Sequence, residues 1–514
     1  MIQLPQFMKF RRNSSKKDYV LVNKPTHSQL RNIPKVTVIT PVFNAAKYLH
    51  KTIDSVQNQT IGIDNIEYIL IDDGSKDDSR DILLEYSSKY ENITVVFLRS
   101  NTGTPGYPRN IGLQLSTAKY IIFLDADDWL EPAGLQVLYN ILEETGDDYA
   151  VGKTIQVQAK GTKIVGEHES CSERRSVSPF SIPQIFQHLG PRARMIRADV
   201  IKKNHIVFPE MKFAEDKQFF IDVLLQCRTI STTSAPIYYL NRVENSDRLT
   251  NQTNIMQKAN YNLKVIRYII HKNLEIEKEK MILNRLYEFD CITRFFTTPH
   301  FQRTRLKRLY YFKLKQILKT TKSLQYDFSD NFFEPFNKTV YRLFCQKQYK
   351  ELVKLYEWQK NEKIKEIMIK DNLPYWIVPF LEESSKYIRA SLYAVYKQEF
   401  IENNMYYLVF NLFGESSHTI RDVIIRDVND ARVERILEVK MGNEGNGKLE
   451  IPLQLLQDLP NSNYSIFLRY NDYLKVNIRR NDQRQLKHRF QEREFVFYPT
   501  VYSNVGLKIR KIVS

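Results

Sequence analysis

Apolar runs and amphipathic stretches alternate from Lys35 to about Thr250. Val36-Thr-Val-Ile-Thr is β-branched and runs into Pro41, which reads as a buried strand. Ala46 to Gln57 places Leu49, Ile53 and Val56 on one helical stripe. Tyr68-Ile-Leu-Ile, Val95-Val-Phe-Leu and Tyr120-Ile-Ile-Phe-Leu read as further buried strands. Ser79 to Tyr90 and Arg109 to Ser116 read as helices between them. Strands alternating with helices predict an α/β fold with a parallel, doubly wound sheet. Such sheets bind ligands at the carboxyl ends of their strands. The polar clusters Asp72-Asp73-Gly74-Ser75 and Asp125-Ala126-Asp127-Asp128 fall at those ends.

The pattern changes twice more. Residues 251–388 read as a helical region rich in Lys, Tyr, Leu and Ile, punctuated by Leu373-Pro374 and Val378-Pro379. From 389 to 514 short strand-like runs dominate, such as Met405-Tyr-Tyr-Leu-Val-Phe and Tyr464-Ser-Ile-Phe-Leu. A turn-rich break, Gly442 to Lys448, separates two of these runs. They predict a C-terminal antiparallel β domain, sandwich-like. Residues 1–33 read as a basic tail, and 34–250 as the α/β domain.

Composition narrows the partners. Lys and Arg total 76 against 59 Asp and Glu, a formal charge of +17 in 514 residues. A surplus of that size favours a polyanion, whether nucleic acid, anionic lipid or a phosphate-rich polymer. It is equally what a solvated lysine-rich surface would give. Cys171, Cys227, Cys291 and Cys345 lack metal or redox spacing, which points to scattered thiols in a reducing compartment. No apolar run approaches the ~18 residues of a spanning helix. The first residues lack the order of a signal peptide. The expected location is the cytoplasm, with any membrane association peripheral, at the inner face of the cell membrane.

Four clusters carry candidate chemistry. Asp125 and Asp127 leave a strand at the ligand edge, and two such carboxylates suit a hard divalent ion that bridges a diphosphate. A helix cap is the plainer use of the same residues. Asp73 could accept from a base or ribose, or cap a strand-to-helix turn. The Gly- and Pro-rich run from Asn101 to Asn110 shapes a loop before a helix, where Arg109 could meet phosphate. Glu215 and Asp216 precede Phe219, Phe220, Val223 and Leu224. A carboxylate there could take a proton from an acceptor hydroxyl, or cap the helix.

Taken in order, Thr40-Pro-Val-Phe-Asn44, Ile71-Asp-Asp-Gly-Ser75, Pro108-Arg-Asn110 and Leu124-Asp-Ala-Asp-Asp128 resemble the inverting GT-A glycosyltransferases of family 2. The resemblance covers residues 35 to 250, less than half the chain. Within that family, Pro105 to Asn110 and Ala214-Glu215-Asp216 are similar to enzymes that glycosylate wall teichoic acid in Gram-positive bacteria. The resemblance implies a GT-A (Rossmann-like) domain that moves a sugar, N-acetylglucosamine by preference, from a UDP donor to a polyol-phosphate polymer. It implies donor contacts from Pro41, Phe43, Asp73, Arg109, Asn110 and Asp125. It implies Mn²⁺ or Mg²⁺ at Asp127, and Asp216 as catalytic base with Glu215 beside it. Related sequences often carry a His near the end of the polar loop after Tyr238-Tyr239. This chain has Arg248, which cannot ligate a metal but could hold phosphates. The resemblance further implies a homo-oligomer, often a trimer.

Two other readings stay open on the sequence. One is an enzyme of the same fold that builds capsular or other surface polysaccharide. The other is a non-catalytic protein that binds an anionic glycan or a sugar nucleotide. A nucleic-acid partner lacks any supporting signature.

Overall fold

The structure is a computed structural model and describes residues 19–23, 33–243, 254–442 and 445–512. Its first unit is built on β1 (Tyr19–Asn23), β2 (Val36–Val42), β3 (Ile66–Asp72), β4 (Ile93–Leu98), β5 (Tyr120–Phe123) and β6 (Trp129–Leu130). It continues with β7 (Tyr149–Gln158), β8 (Gly161–Val165), β9 (Arg174–Val177), β10 (Arg194–Arg197) and β11 (Ile230–Arg242). Helices α1 (Ala46–Gln57), α2 (Ser79–Lys89), α3 (Gly106–Leu115) and α4 (Gly134–Thr145) connect the early strands.

The sheet order is β1-β4-β3-β2-β5-β10-β7-β11-β6, with β8 on β7 and β9 on β11. β4, β3, β2 and β5 are parallel, with Ile39 level with Ile69 and Phe123. Their residues are buried almost throughout, as a sheet covered on both faces requires. The expectation of a parallel sheet holds for this half and for the β7–β11 pairing. β10 runs antiparallel to both β5 and β7, so the whole sheet is mixed. The chain reaches β10 through the β7–β8 hairpin and a long excursion, not through a right-handed crossover helix. The basic tail also needs correction. Tyr-Val-Leu-Val-Asn at 19–23 adds an antiparallel edge strand to β4, as its β-branched composition allows.

Residues 255–361 are mostly helical and share one apolar core with the back of the sheet. The expectation of helix up to 388 is corrected by three short antiparallel strands, Ile367–Lys370, Leu373–Ile377 and Tyr387–Arg389. Pro374 lies within the middle strand, so the proline read as punctuation marks a strand instead.

The last part is an antiparallel-rich sheet with its own core. Met405–Phe413 alternates half-buried and buried residues along its length, the mark of a sheet with one covered face. Its Tyr406 stacks on Phe497, ring centroids 3.5 Å apart, although their strands are not neighbours in the sheet. The sheet therefore folds over onto itself. Its one parallel pairing among the described residues joins Tyr393–Glu402 to Leu474–Arg479. Ion pairs tie this unit to the first: Arg426 to Glu167 at 2.7 Å and Lys153 to Glu434 at 3.2 Å. The four cysteines are free thiols. Among the described residues no helix is long and apolar enough to cross a membrane.

Candidate active site

The carboxyl ends of β2, β3 and β5 gather the polar clusters on one edge. Pro41 is the next-to-last residue of β2, and Phe43 just beyond the strand is 44% exposed. At the end of β3 the two aspartates divide the work. Asp72 is buried and accepts from the Gly74 and Ser75 amides and from Arg80 Nε at 2.6 Å, so it holds the turn. Asp73 accepts from the Thr102 amide and hydroxyl, both at 2.9 Å. Burial lifts its carboxyl to about 6, although the two Thr102 bonds pull it down. Gly74 has φ +75°, and a Cβ there would lie 2.7 Å from the Asn101 nitrogen. Only glycine lets the Asp73 turn pack this close to the Asn101 loop.

The Asn101–Pro105 run is a loop, and α3 starts at Gly106. This puts Arg109 in the helix, buried to 3% exposure. Its Nη2 donates to Asp125 Oδ1 at 2.6 Å, and its Nη1 lies 3.8 Å from Glu215 Oε1. Asn110 is placed differently. Its amide donates to the Phe208 carbonyl at 2.9 Å and accepts from the Phe208 amide at 2.8 Å. The side chain that resemblance assigned to the donor thus pins the loop ahead of the acidic pair.

Asp125 and Asp127 are half-buried at the end of β5, in a loop pinned by Thr52 of α1. The Thr52 hydroxyl is 2.9 Å from the Ala126 carbonyl and 2.7 Å from that of Asp128. A cavity of about 260 Å³ opens beside Asp127, with Lys51 lying 3.1 Å from the Trp129 ring centroid. Asp128 is internal. It accepts from the Tyr238 hydroxyl and the Asn241 amide, both at 2.7 Å. Burial, then Asp127 and Asp125, raise its carboxyl well above the usual range. Asp128 thus clamps β11 to the site loop.

Among the described residues no cluster of three or more His, Cys, Asp or Glu is placed to hold a metal ion. Two carboxylates at a strand edge fit a hard divalent ion that takes its other oxygens from water and a diphosphate. Arg248, the sequence candidate for the phosphates, lies outside the described residues.

Ala214 has φ +69°, and Glu215 opens the helix Glu215–Gln226. Glu215 is buried, and burial followed by the neighbouring Asp216 charge raises its carboxyl to about 8. Asp216 is more accessible and accepts from the Lys217 amide at 2.8 Å. The helix is anchored from behind. Lys217 Nζ reaches Asp290 Oδ2 at 2.8 Å and Asn262 Oδ1 at 2.9 Å. Asp290 is fully buried in a π-helical stretch, Arg285–Thr293, with Arg294 at 3.2 Å and Arg285 at 3.5 Å. Burial opposes its ionisation, but Arg285, Lys217 and Arg294 outweigh it and hold the carboxyl at about 2. Sequence reasoning missed this cluster. Its one trace was a pair of acids inside the apolar run Leu286-Tyr-Glu-Phe-Asp-Cys-Ile292.

The structure thus brings together Asp73, Arg109, Asp125, Asp127, Glu215 and Asp216 around one edge. A larger cavity, about 1010 Å³, lies elsewhere, between the C-terminal sheet and the first unit, and none of these residues lines it.

Known proteins resemble the chain in sequence and in fold. Over 206 residues the chain is 33% identical to a poly(ribitol-phosphate) beta-glucosyltransferase of Bacillus spizizenii, covering 40% of this chain and 32% of that one. It is 37% identical over 223 residues to the poly(ribitol-phosphate) beta-N-acetylglucosaminyltransferase TarP of Staphylococcus aureus, 42% of this chain and 66% of that one. The matches thus span about one third to two thirds of these relatives' length. The crystal structure of Staphylococcus aureus TarS shares the fold over 93% of this chain and 86% of its own, at TM-score 0.56 and 18% identity. A TarS 1–349 structure in complex with UDP-GlcNAc superposes at TM-score 0.56 and 22% identity over 69% of this chain and 99% of that one. Residues 37–204, which run from β2 to β10, match the model of glycosyl transferase family 2.

Proposed function

We propose that this chain is an inverting glycosyltransferase that moves a sugar from a UDP donor to a hydroxyl of a polyol-phosphate polymer such as wall teichoic acid. The observation that carries the reading is the bridge made by Arg109. One guanidinium binds Asp125 at the donor edge of the sheet and lies 3.8 Å from Glu215, next to Asp216. A donor-side carboxylate and an acid pair are thereby held on two sides of one space.

In this reading Pro41, Phe43 and Asp73 would contact the uracil of the donor, and Asp125 its ribose or sugar. Mn²⁺ or Mg²⁺, held by Asp127, would neutralise charge on the leaving diphosphate. Glu215 keeps its proton at neutral pH, and the more accessible Asp216 beside it is the proposed base. Asp216 takes the proton of the acceptor hydroxyl as that oxygen attacks the anomeric carbon in line with the leaving UDP. The carboxylate does not bond to carbon, so one displacement inverts the centre. The fixed guanidinium of Arg109 keeps Asp125 oriented at no cost of reorganisation during the step.

N-acetylglucosamine is the proposed sugar, in keeping with the activity named for TarP and TarS. The test is release of UDP from UDP-N-acetylglucosamine with Mn²⁺, with and without purified poly(ribitol-phosphate). Acceptor-stimulated release is expected. Donor binding without stimulation by this or any related polymer would refute the acceptor assignment.

A further inference from the structure

The Lys307–Leu318 helix carries a feature that the transferase chemistry does not use. Its inner face, Tyr310, Tyr311, Leu314 and Ile317, is buried in the core behind the sheet. Its outer face is apolar as well. Leu306, Leu309 and Phe312 are 63%, 54% and 69% exposed. Spaced by three, they lie along one strip of the helix surface. Leu and Phe exposed in a row are costly in water unless something covers them.

The flanks decide what covers them. Between Asp290 and Asp327 the chain has nine Lys and Arg and no Asp or Glu. Arg305, Arg308, Lys315 and Lys319 are exposed around the apolar strip. No lysine or arginine from 303 to 322 is ion-paired within the described residues. Lys313 is bound only by the neutral Asn260 and Gln316 side chains.

We infer that this helix is a membrane-surface site, which lays Leu306, Leu309 and Phe312 into the acyl boundary of an anionic bilayer and sets its basic flanks on the lipid phosphates. The charge and the apolar strip match this occupant together. A polyol-phosphate polymer would satisfy the cations but offers no apolar surface to Phe312. A second copy of the same face would bring two unpaired basic surfaces together. The inference does not depend on the identity of the sugar or the acceptor.

The experiment is co-sedimentation of the full chain with vesicles of phosphatidylcholine alone and of phosphatidylcholine with phosphatidylglycerol. Binding is expected to the anionic vesicles and to weaken with salt. The double variant L309S/F312S should bind at least tenfold less. Each of R305Q and R308Q should lose about fivefold. Thermal unfolding of the double variant and its donor hydrolysis should match wild type, because these side chains leave the core and the site untouched. A second reading uses F312W, whose fluorescence should shift to the blue on anionic vesicles and be quenched by brominated lipid. Equal vesicle binding by wild type and L309S/F312S would overturn the proposal. So would an oligomer in solution that L309S/F312S dissociates, since the strip would then belong to a second copy.

Discussion

Replacing Glu215 by Gln tests the electrostatic core of the site most directly. In the unfolded chain this carboxyl has its ordinary value of 4.5, and in the fold burial and Asp216 raise it to about 8. Between these values the folded state holds the proton and the unfolded state has lost it. Folding then takes up a proton, and stability falls as pH rises. The contribution is intact below 4.5 and lost progressively towards 8. By pH 7 about 2.5 pH units have been crossed, each costing about 1.36 kcal/mol, so ionisation of the unfolded side chain costs about 3 kcal/mol. Gln has the same shape and does not titrate. E215Q should therefore open less readily than wild type at pH 7 and almost equally at pH 5. Hydrogen exchange at the amides of the Glu215–Gln226 helix reads this without assuming that the separate cores unfold together. The ratio of variant to wild-type protection should be within a few-fold at pH 5 and about a hundredfold at pH 7. A ratio independent of pH, or a variant less protected at pH 7, would refute the raised carboxyl and with it the division of roles between Glu215 and Asp216.

Other outcomes follow from the same geometry. Asp216→Asn should lower turnover by ~10²–10⁴ while donor binding, followed by calorimetry, is kept; near-normal turnover would reduce Asp216 to a helix cap. Asp290→Asn strands the buried cations Lys217 and Arg285, and the half-buried Arg294, without their shared partner, so thermal or urea unfolding should show a loss of about 3–5 kcal/mol. Acceptor binding should weaken steeply as salt rises, by the counterion logic of polyanion binding; titration of poly(ribitol-phosphate) at two ionic strengths checks this. Gly74→Ala should raise the Michaelis constant for the donor, because the strained turn moves Asp73 off Thr102.

Much of the carboxylate-bearing edge was legible in the chain itself. Buried strands ending in Asp72-Asp73-Gly74 and Asp125-Ala126-Asp127 fix where the sheet presents its carboxylates, because strand period and loop chemistry are local properties. The order of those motifs was enough to indicate a family 2 domain. Local pattern could not assign roles among neighbours. Asp72 and Asp128 have the same side chain as Asp73 and Asp127, yet turn inward to hold a turn and a strand. Asn110 looks like a donor ligand in the sequence and is bound at both amide ends to Phe208, 98 positions away. The mixed sheet and the strand at 19–23 also depend on which edges are left to pair, which no single segment determines.

The sequence by itself determined which residues carry charge at the strand ends and which stretches bury their apolar faces. Only the tertiary structure decided that Arg109 joins Asp125 to the acid pair, and that Lys217 is held by Asp290. It also decided that one face of the Lys307–Leu318 helix stays uncovered. The physical reason is that burial and charge pairing are set by neighbours distant in the chain, whereas periodicity and turn preference are set by neighbours within it.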